Sequence, residues 1–173
     1  MALTQGARNK IKSIVQSAKK LLMKEFESQL QQFYGIRPDG TCLLVEELTS
    51  REASVIETAR LLRQRLHYLE EGIAGSNKAP EAVRQLIREQ AFTILNRFAA
   101  VRMSEERNII RESIRKGYNS EGFLVYDQLT GGAKTAEQFT RYTWYIGHVF
   151  DELSIDLPAV FDRFSPYALL FPS

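Results

Sequence analysis

From Thr4 to Phe33 apolar residues return every three or four positions. At about 100° per residue, Ile11, Ile14, Val15, Ala18, Leu21, Leu22 and Phe26 fall within an arc of roughly 140°, which predicts a long amphipathic helix. It should end near Gly35, because Arg37-Pro38-Asp39-Gly40 is turn chemistry: proline presets φ and glycine accepts a positive φ. Cys42 to Val45 then reads as a short apolar strand, paired with Phe33 to Ile36 in a small hairpin. Thr49-Ser50-Arg51-Glu52 fits a capping box and predicts a second helix to about Glu71, with Ala53, Ile56, Ala59, Leu62, Leu66 and Leu69 inward.

Gly72 to Lys78, with Gly75-Ser76-Asn77, is a loop, and Pro80 suits the first turn of a third helix. From Ala91 to Met103 apolar residues stand on every side of that helix: Phe92, Ile94, Leu95, Phe98, Ala99, Ala100 and Val101 leave little polar face. It is therefore expected to be the central, most enclosed helix. Arg107 to Lys116 continues as a helical piece stopping at Gly117, and Gly131-Gly132 marks a further loop. Thr135-Ala136-Glu137-Gln138 is a second capping box, opening a helix through Phe139, Tyr142, Ile146, Val149, Phe150 and Leu153, and Pro158 begins a short turn with Val160 and Phe161. Such a pattern, about two thirds helix, defines an all-α fold: an irregular helical bundle with at most a small β-hairpin near residues 33–46.

Length agrees with one domain over residues 1–173, since about 70% of a 19.8 kDa chain's surface can be buried on folding. With 44% hydrophobic and 25% charged residues the chain is neither collagen-like nor disordered nor a disulfide scaffold. The longest stretch without a charge, Phe164 to Ser173, has ten residues against the roughly 20 of a membrane helix, so no membrane span is expected. The single Cys42 cannot form an internal disulfide, and with His67 and His148 it supplies too few ligands for zinc. A reducing, cytoplasmic setting follows. Met1 to Lys24 is acid-free and amphipathic, as a mitochondrial presequence is, yet its apolar face runs on unbroken to Phe33.

Charge changes the picture locally. The net charge of +2 conceals six bases, Arg8, Lys10, Lys12, Lys19, Lys20 and Lys24, with no acid before Glu25. Catalytic patterns are missing. Neither G-x-G-x-x-G nor G-x-x-x-x-G-K-[ST] occurs, so no phosphate cradle is predicted. Acid pairs such as Glu46-Glu47, Glu70-Glu71 and Glu105-Glu106 are adjacent and point about 100° apart on a helix instead of converging. Pro38-Asp39 followed by Glu46 and Glu47 echoes a metal-dependent nuclease, but Leu48 and Thr49 stand where its lysine belongs.

Three longer phrases carry a resemblance: Glu89 to Arg107 (EQAFTILNRFAAVRMSEER), Ser113 to Tyr126 (SIRKGYNSEGFLVY) and Phe150 to Pro172 (FDELSIDLPAVFDRFSPYALLFP). Together with the PDG turn they resemble the N-terminal region of large adenine-specific DNA methyltransferases. Those are the single-chain methylases of type II restriction-modification and bacteriophage-exclusion systems. The resemblance implies a helical domain placed before a methylase domain that binds S-adenosylmethionine and holds a flipped adenine with an Asn-Pro-Pro-aromatic motif. Prolines 38, 80, 158, 166 and 172 are never adjacent, so that motif is not in this chain. The expectation is a non-catalytic, N-terminal part of a longer enzyme, with no cofactor of its own and S-adenosylmethionine in the parent protein.

On that basis Arg8, Lys10, Lys12, Lys19, Lys20 and Lys24 are candidate contacts to the DNA backbone. Arg97 and Arg102, inside the apolar third helix, are expected in a structural ion pair with Glu105 and Glu106. The apolar ending Phe164, Tyr167, Leu169, Leu170 and Phe171 is a candidate docking segment for the methylase domain, the equal alternative being that it folds back onto the bundle. The competing expectation is a self-contained helical interaction or nucleic-acid-binding module that relies on the basic first helix.

Overall fold

The structure, a computed structural model, describes residues 4–50, 52–131, 136–162 and 165–172. Six α-helices make it 71% helical, and no strand occurs among the described residues. They are α1 (Gln5–Gln32), α2 (Ala53–Gly72), α3 (Lys78–Glu106), α4 (Glu121–Leu129), α5 (Gln138–Asp156) and α6 (Pro158–Phe161). The chain divides into two compact units, Met1–Leu95 with Phe164–Ser173, and Asn96–Arg163.

In the first unit, α1 begins at Thr4, whose hydroxyl accepts the Ala7 N–H. Only its C-terminal half enters the core, through Phe26, Gln29 and Leu30. Those residues share the core with Ala59, Leu62, Leu66 and Leu69 of α2 and with Ala82, Val83, Leu86, Ile87, Ala91 and Ile94 of α3. The spacing of three and four in each set is what puts one stripe per helix inside, each large side chain contributing about 1.5–3 kcal/mol.

The predicted hairpin shrinks to one antiparallel bridge, Ile36 with Cys42, and Val45–Glu47 is a 3-10 turn instead of a strand end. Side chains fix this turn. Asp39 accepts from the Thr41 N–H and hydroxyl, and the Arg63 guanidinium donates to the carbonyls of Tyr34 and Leu43 at 2.9 Å each. Gly40 has φ +89°, and a Cβ there would stand 2.4 Å from the Ala79 Cβ, so glycine is required twice over.

The C-terminal segment lies on this same unit. Gln90, fully buried, donates to the Pro166 carbonyl (2.8 Å) and accepts from the Leu169 and Leu170 N–H groups (2.6 and 3.1 Å). Gln29 donates to the Phe171 carbonyl at 2.8 Å. A tail without secondary structure thus has its backbone satisfied by two amides from helices.

In the second unit, α3 ends where Asn108 takes φ +56°. The Asn108 N–H bonds the Glu105 carbonyl and the Ile109 N–H the Ser104 carbonyl, the pair of bonds of a Schellman close. That close overturns the expected helix over Arg107–Lys116, which is irregular up to the 3-10 turn Gly117–Asn119. Val101, Phe123, Ile146, Val149, Phe150, Leu153 and Phe161 form this core. The Phe123 ring meets Tyr142 edge-on at 5.2 Å, and Phe98 lies 6.0 Å from Phe150. Gly122, in the first turn of α4, admits Tyr145 so closely that an added Cβ would sit 1.9 Å from the phenol oxygen.

Three further expectations are corrected. The stretch Ala91–Met103 is not enclosed all round, because Phe92 and Met103 are 61% and 57% exposed. Helix α2 starts after Glu52, not Thr49: the Ser50 hydroxyl accepts the Glu52 N–H, Glu52 itself is extended, and Ala53 is exposed. Helix α5 starts after Glu137, which makes no side-chain cap, and Thr135 lies outside the described residues.

Candidate nucleic-acid interface

All six bases of the acid-free segment lie on α1 and are exposed. None of them takes part in a salt bridge among the described residues. Helical spacing sorts them into two rows: Arg8, Lys12 and Lys19 within an arc of roughly 40°, and Lys10, Lys20 and Lys24 across the opposite flank. From Arg8 to Lys24 the helix rises about 24 Å, enough to pass several phosphates of a duplex.

Lys20 and Lys24 also border an open cleft of about 400 Å³, floored by Met23, Pro38, Val83 and Ile87. The cleft's third cation, Arg84, is already bound to Glu81, which Arg88 shares at 2.5 Å. Those two guanidiniums hold the Glu81 carboxyl below the ordinary carboxylate range. The two lysines share the cleft's lining with the Glu27 carboxylate and make no salt bridge with it.

Between the two rows runs the apolar stripe. As far as Leu21 it is open to solvent, with Ile11 48%, Ile14 59%, Val15 43% and Leu21 70% exposed. Amphipathicity foretold the stripe and could not foretell that half of it meets nothing.

The expected ion pair divides. Arg102 does pair with both Glu105 and Glu106, along one turn of α3. Arg97 pairs with neither; buried to 4% exposure, its Nε donates to the Val160 carbonyl at 2.8 Å and Nη2 to the Asp162 carbonyl at 2.6 Å. Burial pulls this guanidinium below its usual value, and the Asp162 charge opposes the shift. Its flat donor fork, lying 5.6 Å from the Phe150 ring, closes the start and end of the second unit's chain upon each other. Arg97 is therefore not available to phosphate.

Glu105 does more than the spacing of charges suggested. Its other oxygen accepts the N–H groups of Ser113 and Ile114 at 2.5 Å, and so anchors the irregular segment after α3. Ser113 in turn shares a hydrogen bond with the Tyr145 hydroxyl (2.5 Å), and Tyr142 donates to the Ser113 carbonyl (2.8 Å). Desolvation, with the charges of Tyr145, Glu105 and Tyr118 adding to it, pushes the Tyr142 phenol up to about 12. A neutral phenol that donates to a backbone carbonyl is a structural brace. No group of three or more His, Cys, Asp or Glu placed to hold a metal ion occurs among the described residues.

Of the expected docking segment, Leu170 is buried, Leu169 and Phe171 are half-buried, and Tyr167 is 43% exposed with the Arg65 guanidinium 4.5 Å from its ring. Phe164 lies outside the described residues. Most of this apolar surface is thus occupied by the chain's own first unit, which leaves Tyr167 as its accessible part. No described helix is long and apolar enough to cross a membrane.

Compared with known proteins, the chain matches no protein family, no curated protein and no solved structure.

Proposed function

We propose that this chain is the N-terminal helical domain of an adenine-specific DNA methyltransferase of a restriction or phage-defence system, and that α1 gives it a sequence-independent hold on the duplex backbone. Methyl transfer from S-adenosylmethionine would belong to a methylase domain of the parent protein, while this part packs and positions. The reading rests for its enzyme class on the resemblance of the three phrases, and for its DNA contact on one observation. Six exposed cations stand along α1 with no salt bridge among the described residues and no acid in the sequence before Glu25. Lysine is a point charge suited to phosphate, whereas reading bases calls for planar or bidentate groups in a groove, and five of the six are lysines.

Fluorescence anisotropy with two unrelated duplexes at several salt concentrations tests the contact. The expected affinity is weak, about 10⁻⁴ to 10⁻⁶ M near physiological salt, equal for both duplexes and falling steeply as salt rises. Lys12→Gln, Lys19→Gln and Lys20→Gln together should weaken both equally and flatten the salt slope. Binding that survives the triple substitution, or that strongly prefers one duplex, places the DNA surface elsewhere.

A further inference from the structure

The N-terminal half of α1 carries more than charge. Ala7, Ile11, Ile14, Ala18 and Leu21 repeat at alternating spacings of four and three, the a and d positions of a coiled-coil seam. Val15 and Leu22, each one position after a d residue, widen it to three apolar residues per heptad. That width is the face a helix turns toward a groove between two others, broader than the seam of a simple pair. Four of these side chains, Ile11, Ile14, Val15 and Leu21, are more than 40% exposed.

Charge selects the occupant. Arg8, Lys10 and Lys24 stand at the positions flanking the seam, where coiled coils choose partners by charge, and Lys12 and Lys19 lie just outside. A second copy would bring these bases against their equals. A DNA duplex satisfies the bases and leaves the isoleucines wet. A lipid surface would accept Leu21 and Leu22, but the aromatic residues that also anchor interfacial helices are missing from this face before Phe26.

The geometry points to a protein partner: the N-terminal half of α1 docks into an apolar groove between two helices whose rims carry Asp and Glu. This inference goes beyond the DNA contact and uses a different part of the same helix. Because the flanking bases serve both, acidic partner and duplex compete for α1.

The test titrates the whole chain with a labelled synthetic two-helix hairpin, leucine at its groove positions and glutamate at its rims. The control hairpin carries lysine at the rims. The expected result is saturable one-to-one binding in roughly the micromolar range, weakened about tenfold or more by Ile14→Gln or Leu21→Gln and absent with the lysine hairpin. Both substitutions keep every charge, so duplex binding should not move, which separates a failure here from a failure of the DNA contact. Both positions are exposed and outside the core, so the helical circular dichroism should also be unchanged.

Four results would each overturn the inference. They are no binding of the acidic hairpin up to millimolar concentration, equal binding of the lysine hairpin, dimers in sedimentation that Leu21→Gln disperses, and adsorption to phosphatidylglycerol vesicles that Leu21→Gln abolishes.

Discussion

The two ends of the helical chain around α1 and α3 use similar residues to opposite effect. At the C-terminal end of α3, Arg97, Arg102 and Glu105 all have partners, and the two buried ones hold backbone groups of distant segments. Along α1 as far as Lys24, six bases make no salt bridge among the described residues and four large apolar residues face water. The first arrangement is costly to disturb, since each buried charge holds donors or acceptors that nothing else would satisfy. The second contributes little to the fold. Surface that a domain does not need for its own stability is where interaction is to be sought.

The sharpest way to break this contrast is Glu105→Ala. The substitution strands the buried N–H of Ser113 and that of Ile114, and takes one of Arg102's two carboxylates. A loss of about 2–4 kcal/mol is expected in urea unfolding, chiefly from the two unsatisfied N–H groups, since Arg102 keeps Glu106. A loss below about 1 kcal/mol would mean that water replaces the carboxylate and that the α3 end is no more committed than α1.

A smaller effect concerns Tyr142, whose phenol is pushed up to about 12 from an ordinary value of 10.0. The unfolded chain releases this proton first as pH rises, so the stabilisation is whole below pH 10 and drains away between about 10 and 12. Tyr142→Phe should flatten the fall of stability with pH in that window. An unaltered slope would show that Tyr142 ionises as freely in the folded protein as outside it.

The smallest effect sharpens the other side. The Lys12, Lys19 and Lys20 triple glutamine variant should unfold within about 0.5 kcal/mol of the wild type at moderate salt, because none of the three makes a salt bridge among the described residues. A larger change would assign these lysines a part in the fold.

What could be read in advance follows the range of the interactions. Periodicity located α1 and the buried faces of α2 and α5 because an apolar stripe is a local pattern, repeated over several turns. Helix starts were misread at Thr49 because the Ser50 hydroxyl offers the backbone a competing bond that the capping-box spacing does not reveal. The irregular stretch after α3 reads as helix in the sequence because a single asparagine, Asn108, does the work usually signalled by glycine. Helix α4 escaped notice: nine residues with a glycine near the start carry a weak signal. In the candidate interface, the bases of α1 were legible as a charge run. The partners of Arg97 were not, since they are carbonyls more than sixty residues away, and a carbonyl leaves no mark on the residue type.

Gly122 and Tyr145 have a consequence for how this sequence can drift. The phenol oxygen occupies the space where a Cβ at 122 would stand, while the same oxygen bonds the Ser113 hydroxyl. Positions 113, 122 and 145 are therefore coupled: a side chain at 122 requires that 145 give up its hydroxyl and that the Glu112 carbonyl yield slightly, and the Ser113 hydroxyl then keeps only the Arg111 carbonyl. The exposed lysines of α1 can be exchanged one at a time. Distant relatives of this chain, if they share its second unit, should be sought by that triplet before they are sought by the basic helix.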